Sequence, residues 1–326
     1  MIDLHFDLLT KLYMCYLNQD FTYIEEYVKN INKDNVTGLI ANLCFMSKEE
    51  MQLEYHPNYY NEDVSVIDMF SIVKQLLEKY LPNSEIIMSI EGCDYVEIKD
   101  LDKLYELGLR AILPVWNEEN KYGSGNRSNK GLTFEGKKFI LRAIELGIGI
   151  DLSHANVNTF NDIIEVAKLA KEEGLEPIIY ASHSNVYNLC ERDRNLTDEQ
   201  LLKIKELDGI VGVFSHRNFI YTDSLKNNIN NEIVIKKYVE HINYLKNLFG
   251  DIRNIAVSTD DMSFCGEYDS DYYKCPIFSY STIKRDLWKY LNMCYNDNEI
   301  FLILEGNASR LFNRLKKVAK AKEFRM

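Results

Sequence analysis

Six acidic or imidazole side chains of this sequence stand at or near the ends of short apolar stretches. These side chains are His5, Asp7, Glu91, His154, His183 and Asp260. The stretches are Ile2–Leu9, Glu85–Gly92, Ile148–His154, Pro177–Ser184 and Asn254–Asp261. Imidazole nitrogens and carboxylate oxygens bind Zn²⁺ and related transition metals. Their recurrence at the ends of these stretches predicts a metal centre to which several strands each contribute a ligand.

The number of these ligands predicts two ions rather than one. Because alternate side chains of a strand share a face, His5 and Asp7 are expected to bind one ion together, although the pair alone equally fits a core histidine. Glu91, His154 and His183 raise the set to five ligands, more than the three that one catalytic zinc uses. We expect Glu91 to bridge the two ions. The set suits Zn²⁺ and leaves Mn²⁺, Fe²⁺ and Co²⁺ open.

Such a centre predicts hydrolysis. Two ions about 3.5 Å apart polarise a carbonyl and lower the pKa of a bridging water or hydroxide. Asp260 is predicted to take the proton of this water and deliver it to a leaving nitrogen, with Asp261 as the rival for that role. Cys93 and Cys265 follow strands that end at the centre; either thiol is a further candidate ligand, but a bystander role fits them better.

The elements that position these residues follow from the apolar pattern. Continuous apolar stretches are typical of buried parallel strands. Three more strands are predicted, at Val36–Phe45, Arg110–Asn117 and Ile210–His216. Helical patterns alternate with the strands, at Val64–Tyr80, Phe134–Leu146, Asn158–Glu173, Asp198–Leu207 and Glu232–Phe249. The alternation predicts an α/β fold, a (β/α)₈ TIM barrel with the metal site at the C-terminal face of the strands.

The length and composition predict one domain. The 326 residues exceed the ~250 of a simple barrel, which leaves room for insertions. No repeat, linker or change in composition divides the chain. Residues 1–326 are therefore interpreted as one catalytic domain that ends in a helix or tail from about residue 307.

The charge and the cysteines narrow the class of function. A net charge of −12 leaves no basic surplus to neutralise phosphates, which excludes nucleic acid as a partner. No run reaches the ~20 apolar residues of a membrane span, and a first strand at Ile2 leaves no room for a signal peptide. Seven cysteines without CxxC spacing are typical of reduced thiols. We therefore expect a cytoplasmic protein with no membrane partner.

At these residues the chain resembles the membrane dipeptidase (renal dipeptidase) family of zinc metallopeptidases, within the amidohydrolase superfamily. The resemblance includes IDLHFDLL, where the family has an Asp-Gly-His-Asn-Asp pattern, SIEG around Glu91 and DLSH around His154. The segment from His183 to Leu201 is the most specific, because the histidine is followed at the family's distance by Arg-Asn-Leu-Thr-Asp. The resemblance implies a (β/α)₈ barrel, two zinc ions per chain, dipeptide hydrolysis that often tolerates a D-residue at the C-terminal position, and a homodimer.

The family's metal ligands carry over onto residues of this chain. His5, Asp7 and Glu91 match the ligands of one zinc ion, and Glu91, His154 and His183 match those of the other. The resemblance therefore implies that Glu91 and a water or hydroxide bridge the two ions.

Two further residues match the family's catalytic machinery. Arg194 matches the arginine that holds the substrate carboxylate, and Asp260 matches the catalytic aspartate. The planar guanidinium of Arg194 suits bidentate binding of a carboxylate, which supports the assignment physically. A surface salt bridge from Arg194 to Glu191 or Asp193 is the alternative.

The chain departs from the family at two places. Where many members have Thr-His-Asn after strand four, this chain has Val115-Trp116-Asn117. Trp116 is expected to alter rate or specificity, or to form an apolar pocket wall while Asn117 supplies the polar contact to substrate. The family's Asp-Phe-Asp-Gly is Asp260-Asp261-Met262-Ser263 here, which keeps the first aspartate.

The sequence as a whole predicts a zinc-dependent dipeptidase. One alternative is another amidohydrolase-superfamily enzyme that cleaves N-acyl amino acids, cyclic amides or lactones. A second alternative is a metal-binding protein without turnover, which Trp116 favours and the intact Asp260 disfavours. Substrate specificity is expected to reside in the loops 46–63, 118–131 and 262–280.

Overall fold

Parallel strands alternate with helices along the chain. The computed structural model describes residues 1–34, 36–45, 64–221, 231–260 and 283–317. Its strands are β1 (Ile2–Phe6), β2 (Gly38–Cys44), β3 (Glu85–Glu91), β4 (Leu109–Leu113), β5 (Gly149–Asp151), β6 (Ile179–Tyr180), β7 (Val211–Phe214) and β8 (Ile255–Ser258). Strands β1 to β6 pair in chain order as a curled, parallel half-barrel sheet, and β7 pairs with β8. The predicted α/β class with parallel strands is confirmed.

Helices follow most of the strands. They are α1 (Leu8–Asn18), α2 (Thr22–Asp34), α3 (Val66–Tyr80), α4 (Leu101–Leu107), α5 (Phe134–Glu145), α6 (Val157–Glu172), α7 (Asp198–Glu206), α8 (Arg217–Ile220), α9 (Asn231–Phe249), α10 (Trp288–Leu291), α11 (Asp297–Phe301) and α12 (Asn307–Leu315). A 3₁₀ turn at Ile98–Asp100 and π-helical turns at Ile283–Leu287 and Leu302–Gly306 precede α4, α10 and α12. Within the residues that the structure describes, no helix combines the length and apolar character needed to cross a membrane.

Backbone hydrogen bonds connect the two sheets on both sides. Between β6 and β7, the Ala181 N–H donates to the Ile210 carbonyl at 2.9 Å, and the Gly212 N–H donates to the Ala181 carbonyl at 2.8 Å. On the other side, the Asp260 N–H donates to the His5 carbonyl at 3.2 Å. The end of β8 is therefore held against the end of β1, where two of the predicted site residues lie.

One end of the strands is closed by the last described helix. Apolar residues of β1, β2, β3 and β8 form a buried cluster with α12, which includes Phe312 and Leu315. A side chain at Gly38, the first residue of β2, would meet the Phe312 ring, and one at Gly149, the first residue of β5, would meet Leu315. Helix α12 therefore covers the amino-terminal ends of the strands, so the carboxyl-terminal ends are left for a site.

Helix starts agree with their sequence signals. The Thr133 hydroxyl accepts a hydrogen bond from the Gly136 N–H at 3.0 Å, as expected for an N-cap, and α5 begins at the next residue. The Thr197 and Gln200 side chains form a capping box at the start of α7. These local bonds explain why the predicted helix starts are correct to within two residues.

The predicted strand ends need correction. Leu8 and Leu9 belong to α1 rather than to a first strand, because the chain turns at Asp7 (φ −77°, ψ 44°) and buries both leucines in a helix. Asp7 therefore follows the strand instead of alternating with His5 along it. Strands β5 and β6 contain only 3 and 2 residues, so His154 and His183 also lie beyond their strands.

Replacement of Gly92 by alanine tests the close packing behind β3. Gly92 and Gly250 share a left-handed backbone (φ +75° and +79°), but a Cβ at Gly92 would lie 2.2 Å from the Phe45 carbonyl oxygen, whereas Gly250 has no neighbour within 4 Å. We expect Gly250→Ala to lower the free energy of unfolding by about 1–2 kcal/mol, the cost of a left-handed alanine. Gly92→Ala should lower the free energy of unfolding by about 1–3 kcal/mol more than Gly250→Ala does, because its Cβ atom would overpack against Phe45. Urea unfolding measures both; equal losses would contradict the close approach.

Candidate metal centre

Glu91, the last residue of β3, lies between two histidines. Its Oε2 atom is 3.2 Å from the His5 Nε2 atom, and its Oε1 atom is 3.3 Å from the His154 Nε2 atom. The Glu91 side chain is 2% exposed. Because each carboxylate oxygen faces a different imidazole nitrogen, Glu91 has the arrangement that a ligand bridging two cations requires.

The remaining predicted ligands surround this carboxylate. The His5 Nε2 atom lies 3.9 Å from Asp7 Oδ1 and 3.8 Å from Asp260 Oδ1. The His183 ring centroid is 3.8 Å from that of His5. His5, Glu91 and His183 each offer one ligand atom, and these three atoms lie within 4.8 Å of one another, close enough to hold a metal ion.

Two buried polar atoms at this centre lack a hydrogen-bond partner among the described residues. They are the Nε2 atom of His183 and the Oδ1 atom of Asp7. A buried polar atom that is left unsatisfied costs about 1–3 kcal/mol. Both atoms are strong metal-ligand types, so a divalent cation would satisfy them. The residues present therefore fit a metal centre.

The other ring nitrogen of His154 is fixed by Asn117. The Nδ1 atom of His154 lies 2.9 Å from the Asn117 Oδ1 atom. An amide oxygen only accepts hydrogen bonds, so the Nδ1 atom carries the proton and Nε2 presents its lone pair toward Glu91. The half-buried Trp116 places its ring centroid 5.8 Å from that of His154. Trp116 and Asn117 thus contact the same imidazole, one through its ring face and one through a hydrogen bond.

Ser182 joins the other two histidines. Its hydroxyl lies 2.7 Å from His183 Nδ1 and 3.2 Å from His5 Nδ1. The Asn42 amide nitrogen is also 3.0 Å from His5 Nδ1. These partners occupy the ring atoms that face away from Glu91, and they leave the Nε2 atoms directed toward the centre. The Ser182 hydroxyl can accept the Nδ1 proton of His183, the kind of bond that orients a ligating histidine and raises its basicity, whereas the Asn42 amide nitrogen donates to the His5 ring.

Two residues of the predicted site have a strained backbone conformation. His154 (φ 69°) and Asp260 (φ 47°) are two of the four non-glycine residues with positive φ in the described part of the chain. A left-handed conformation costs an L-residue about 1–2 kcal/mol. Strain of this kind persists where the surrounding structure holds a side chain in a required position. The two outliers are therefore consistent with a functional constraint on both side chains.

Carboxylates crowd around His5. Burial raises the pKa of Asp260 to about 6, with the charge of Glu91 adding to the rise and those of His5 and Arg194 opposing it. Burial and Glu91 also raise the pKa of Asp7. Burial alone would lower the pKa of His5, but the surrounding carboxylates, Glu91 foremost, raise it to about 10. The cluster is therefore short of positive charge, which a divalent cation would supply.

The other two imidazoles are held uncharged. Burial, followed by the charge of Arg194, keeps the pKa of His154 well below its usual value. Burial, followed by the charges of His5 and Arg194, does the same for His183. Neutral imidazole is the form that binds metals.

Arg194 is buried beside the centre. It is 8% exposed, and its guanidinium carbon lies 5.8 Å from the Phe219 ring centroid. A parallel bridge between Val186 and Leu196 folds the segment after His183 back onto itself, which brings Arg194 near the imidazoles. Burial and then the charge of Arg194 lower the pKa of His216 to about 4. These positions put a fixed positive charge next to the predicted metal site.

The remaining candidates from the sequence are Cys93, Asp261, Cys265 and three loops. The Cys93 Sγ atom donates to the Leu113 carbonyl at 3.6 Å, so this thiol is directed at the backbone of β4. Loop 118–131 packs against Asn117, whose carbonyl accepts the Arg127 N–H at 2.9 Å. Asp261, Cys265 and the loops 46–63 and 262–280 lie outside the described residues.

Sequence reasoning missed the residues that orient the ligands. Ser182 precedes His183 directly, and Asn42 lies within the predicted second strand. The polarity of Asn42 within an apolar stretch is the signal that could have identified it.

Comparison with known proteins identifies the family to which this chain belongs. A family model described as membrane dipeptidase (peptidase family M19) matches residues 51–325. A protein of Acinetobacter calcoaceticus, described as uncharacterised and in the PQQ-III 3′ region, is 32% identical over 241 residues, 69% of this chain and 71% of that protein. An uncharacterised dipeptidase of Schizosaccharomyces pombe is 28% identical over 209 residues, 62% of this chain but only 47% of the yeast protein.

Solved structures share the fold. A metallopeptidase of Rhodobacter sphaeroides, solved with a phosphinate mimic of the dipeptide L-Ala-D-Ala, superposes with a TM-score of 0.73 at 18% identity, over 96% of this chain and 98% of its own. The probable dipeptidase PvdM of Pseudomonas aeruginosa superposes with a TM-score of 0.67 at 17% identity, over 88% of each chain. At these identities the likeness concerns the fold alone.

Replacement of Asn117 by alanine tests the orientation of His154. The change removes the acceptor of the Nδ1 proton, so we expect Zn²⁺ affinity to fall about 10- to 100-fold. Competition with a chromophoric chelator measures that affinity. Asn188→Ala is the control, because the Asn188 amide is exposed and donates to the Tyr244 hydroxyl at 2.8 Å. Equal affinities in the two variants would contradict the orienting role.

Proposed function

This chain belongs to the membrane dipeptidase family, peptidase family M19, and from that premise we propose that it is a zinc-dependent dipeptidase. As a member of that family it is a peptide-bond hydrolase, and the proposal concerns its metal, substrate and residue roles. The observation that carries the proposal is the position of Glu91, whose two oxygens lie 3.2 and 3.3 Å from different histidines. That arrangement serves a pair of ions better than a single ion.

The metal ligands divide around Glu91. His5 and Asp7 would hold one ion with Glu91, while His154 and His183 would hold the other with it. Each half would then contain one buried polar atom that lacks a hydrogen-bond partner among the described residues, the Oδ1 atom of Asp7 in one and the Nε2 atom of His183 in the other. When bound, two zinc ions would polarise the scissile carbonyl and supply a water that is acidic enough to attack at neutral pH.

Asp260 moves the proton. Its carboxylate lies 3.8 Å from the His5 Nε2 atom, on the side of the site toward β8. From there it accepts the proton of the attacking water and returns it to the leaving amine nitrogen. The hydrogen bond from the Asp260 N–H to the His5 carbonyl, at 3.2 Å, holds this acid/base group against the ligand cluster.

Arg194 reads the substrate's free carboxylate. Its guanidinium is buried beside the imidazoles, and the planar fork of this group matches a carboxylate in a bidentate geometry. Trp116 forms an apolar wall beside His154, and Asn117 orients that histidine. The substrates are dipeptides with a free C-terminus, with a D-residue accepted there, the class of ligand that the Rhodobacter metallopeptidase was solved with.

The architecture that serves this function is a closed (β/α)₈ barrel formed by residues 1–326 as one catalytic unit. Hydrogen bonds between β6 and β7 and between the ends of β8 and β1 support closure. The site lies at the C-terminal ends of the strands, opposite α12. The homodimer and the cytoplasmic location stay predictions from the sequence.

Replacement of Glu91 by glutamine tests the bridging role. The side chain keeps its size but loses its charge, so we expect zinc content to fall below two ions per chain. The kcat/KM for a dipeptide should fall about 100-fold or more. Elemental analysis and initial rates measure the two effects. The control is Glu119→Gln, an exposed residue paired with Lys130 at 2.7 Å. Normal turnover by Glu91→Gln would sink the proposal.

Replacement of Arg194 by methionine tests carboxylate recognition. The zinc-loaded wild type should cleave L-Ala-D-Ala but not its C-terminal amide. Arg194→Met should lower kcat/KM for the free acid about 10- to 100-fold, the value of a lost charge-assisted contact. The kcat/KM of Arg194→Lys should lie between those of the wild type and Arg194→Met, because an ammonium group binds a carboxylate without the bidentate fork.

The same substrates separate the alternatives. Cleavage of the amide or of N-acyl amino acids at an equal rate would favour another hydrolase of the superfamily. Two bound zinc ions with no hydrolysis of any amide would favour a metal-binding protein without turnover.

A further inference from the structure

Cys44 ends β2 beside Glu91. The two strands pair in parallel, and Cys44 and Glu91 are register partners, as are Asn42 and Ser89. Register partners on neighbouring parallel strands project to the same face of the sheet. Asn42, two residues before Cys44, contacts the His5 ring on that face, at 3.0 Å. Cys44 therefore projects toward the metal centre.

The Cys44 thiol is grouped with two carboxylates. The Sγ atom and one oxygen each of Asp7 and Glu91 lie within 4.8 Å of one another. Ligand atoms about 2.0–2.3 Å from a tetrahedral zinc ion lie about 3.3–3.8 Å apart, so a contraction of at most about 1.5 Å would bring all three onto one ion. Cys44 is 2% exposed, and the Asp7 side chain is 10% exposed.

A second observation points to a ligand in this group. The Oδ1 atom of Asp7 is buried and has no hydrogen-bond partner among the described residues. The backbone around the group is also fixed. The Cys44 N–H donates to the Thr10 hydroxyl at 2.8 Å, and that hydroxyl donates to the Asn42 carbonyl at 3.4 Å. Helix α1, which starts directly after Asp7, therefore holds the end of β2 in place.

We propose that Cys44 is an additional ligand of the ion held by His5, Asp7 and Glu91. The inference rests on the metal centre of the proposed function and deepens it. Together the four side chains offer one nitrogen, two oxygens and one sulfur, so the water of the proposed reaction would be a fifth ligand, a coordination number that catalytic zinc can reach. On binding, the thiol releases its proton to solvent and the thiolate sulfur forms the bond to the ion.

A sulfur ligand gives the two halves of the centre different preferences. Thiolate favours thiophilic cations such as Zn²⁺ and Cd²⁺, whereas carboxylate and imidazole alone accept Mn²⁺ more readily. The half that contains Cys44 therefore takes thiophilic ions. Among the described residues, neither His154 nor His183 is grouped with a cysteine.

Cobalt substitution tests the proposal in the full-length protein. Co²⁺ bound by a thiolate gives a charge-transfer absorption in the near ultraviolet, which Co²⁺ bound only by nitrogen and oxygen does not. We expect this band in the Co²⁺-loaded wild type and its loss in Cys44→Ser, while cobalt still binds. Cys93→Ser is the matched control: Cys93 is also buried near Glu91, but its thiol faces the Leu113 carbonyl, so the band should persist.

Metal competition gives an independent readout. The ratio of Cd²⁺ to Mn²⁺ affinity should fall at least about 10-fold in Cys44→Ser and stay unchanged in Cys93→Ser. Two bound cobalt ions without a charge-transfer band in the wild type would overturn the Cys44 assignment and leave the dipeptidase proposal standing. A protein that binds neither Co²⁺ nor Zn²⁺ would overturn both.

Discussion

The structure depends on the burial of several carboxylates around one imidazole. Glu91, Asp7 and Asp260 all lie within 4 Å of the His5 Nε2 atom. A buried charge is costly unless it is paired, and like charges in one site raise each other's pKa. His5 supplies at most one positive charge, so the cluster is not balanced by its own residues. Divalent cations remove this imbalance, which is why the donor set and the electrostatics lead to the same conclusion.

The residues around the cluster fix it in the arrangement that cations need. Asn117 and Ser182 occupy the Nδ1 atoms of His154 and His183, so the Nε2 atoms of both rings face inward. Gly92 allows the chain to turn immediately after Glu91, where the Phe45 carbonyl leaves no space for a Cβ atom. These contacts belong to neighbouring strands and loops rather than to the ligands themselves. The precision of the centre therefore comes from the packing of the strand ends.

The sequence predicted the parts that local chemistry determines. The helix starts at Phe134 and Asp198 were predicted correctly because the caps at Thr133 and Thr197 are local bonds, and Glu91 was identifiable because it ends a continuous apolar stretch. The resemblance to the membrane dipeptidase family is confirmed by the family match. The prediction that Asp7 lies within the first strand was wrong, because nothing in the local sequence distinguishes a continued strand from the start of α1. The shortness of β6 is likewise set by tertiary pairing, which periodicity does not encode.

The family match also divides the centre into two halves. It begins at residue 51, so Glu91, His154 and His183 lie within it, whereas His5, Asp7 and Cys44 lie before it. The structure nevertheless brings both groups to the same strand ends, since β1 and β2 pair with β3 in an unbroken parallel sheet. The half built on His5 is thus defined by folding rather than by the matched region. In the assignment that we propose, Cys44 belongs to this half and would give it a preference for thiophilic ions.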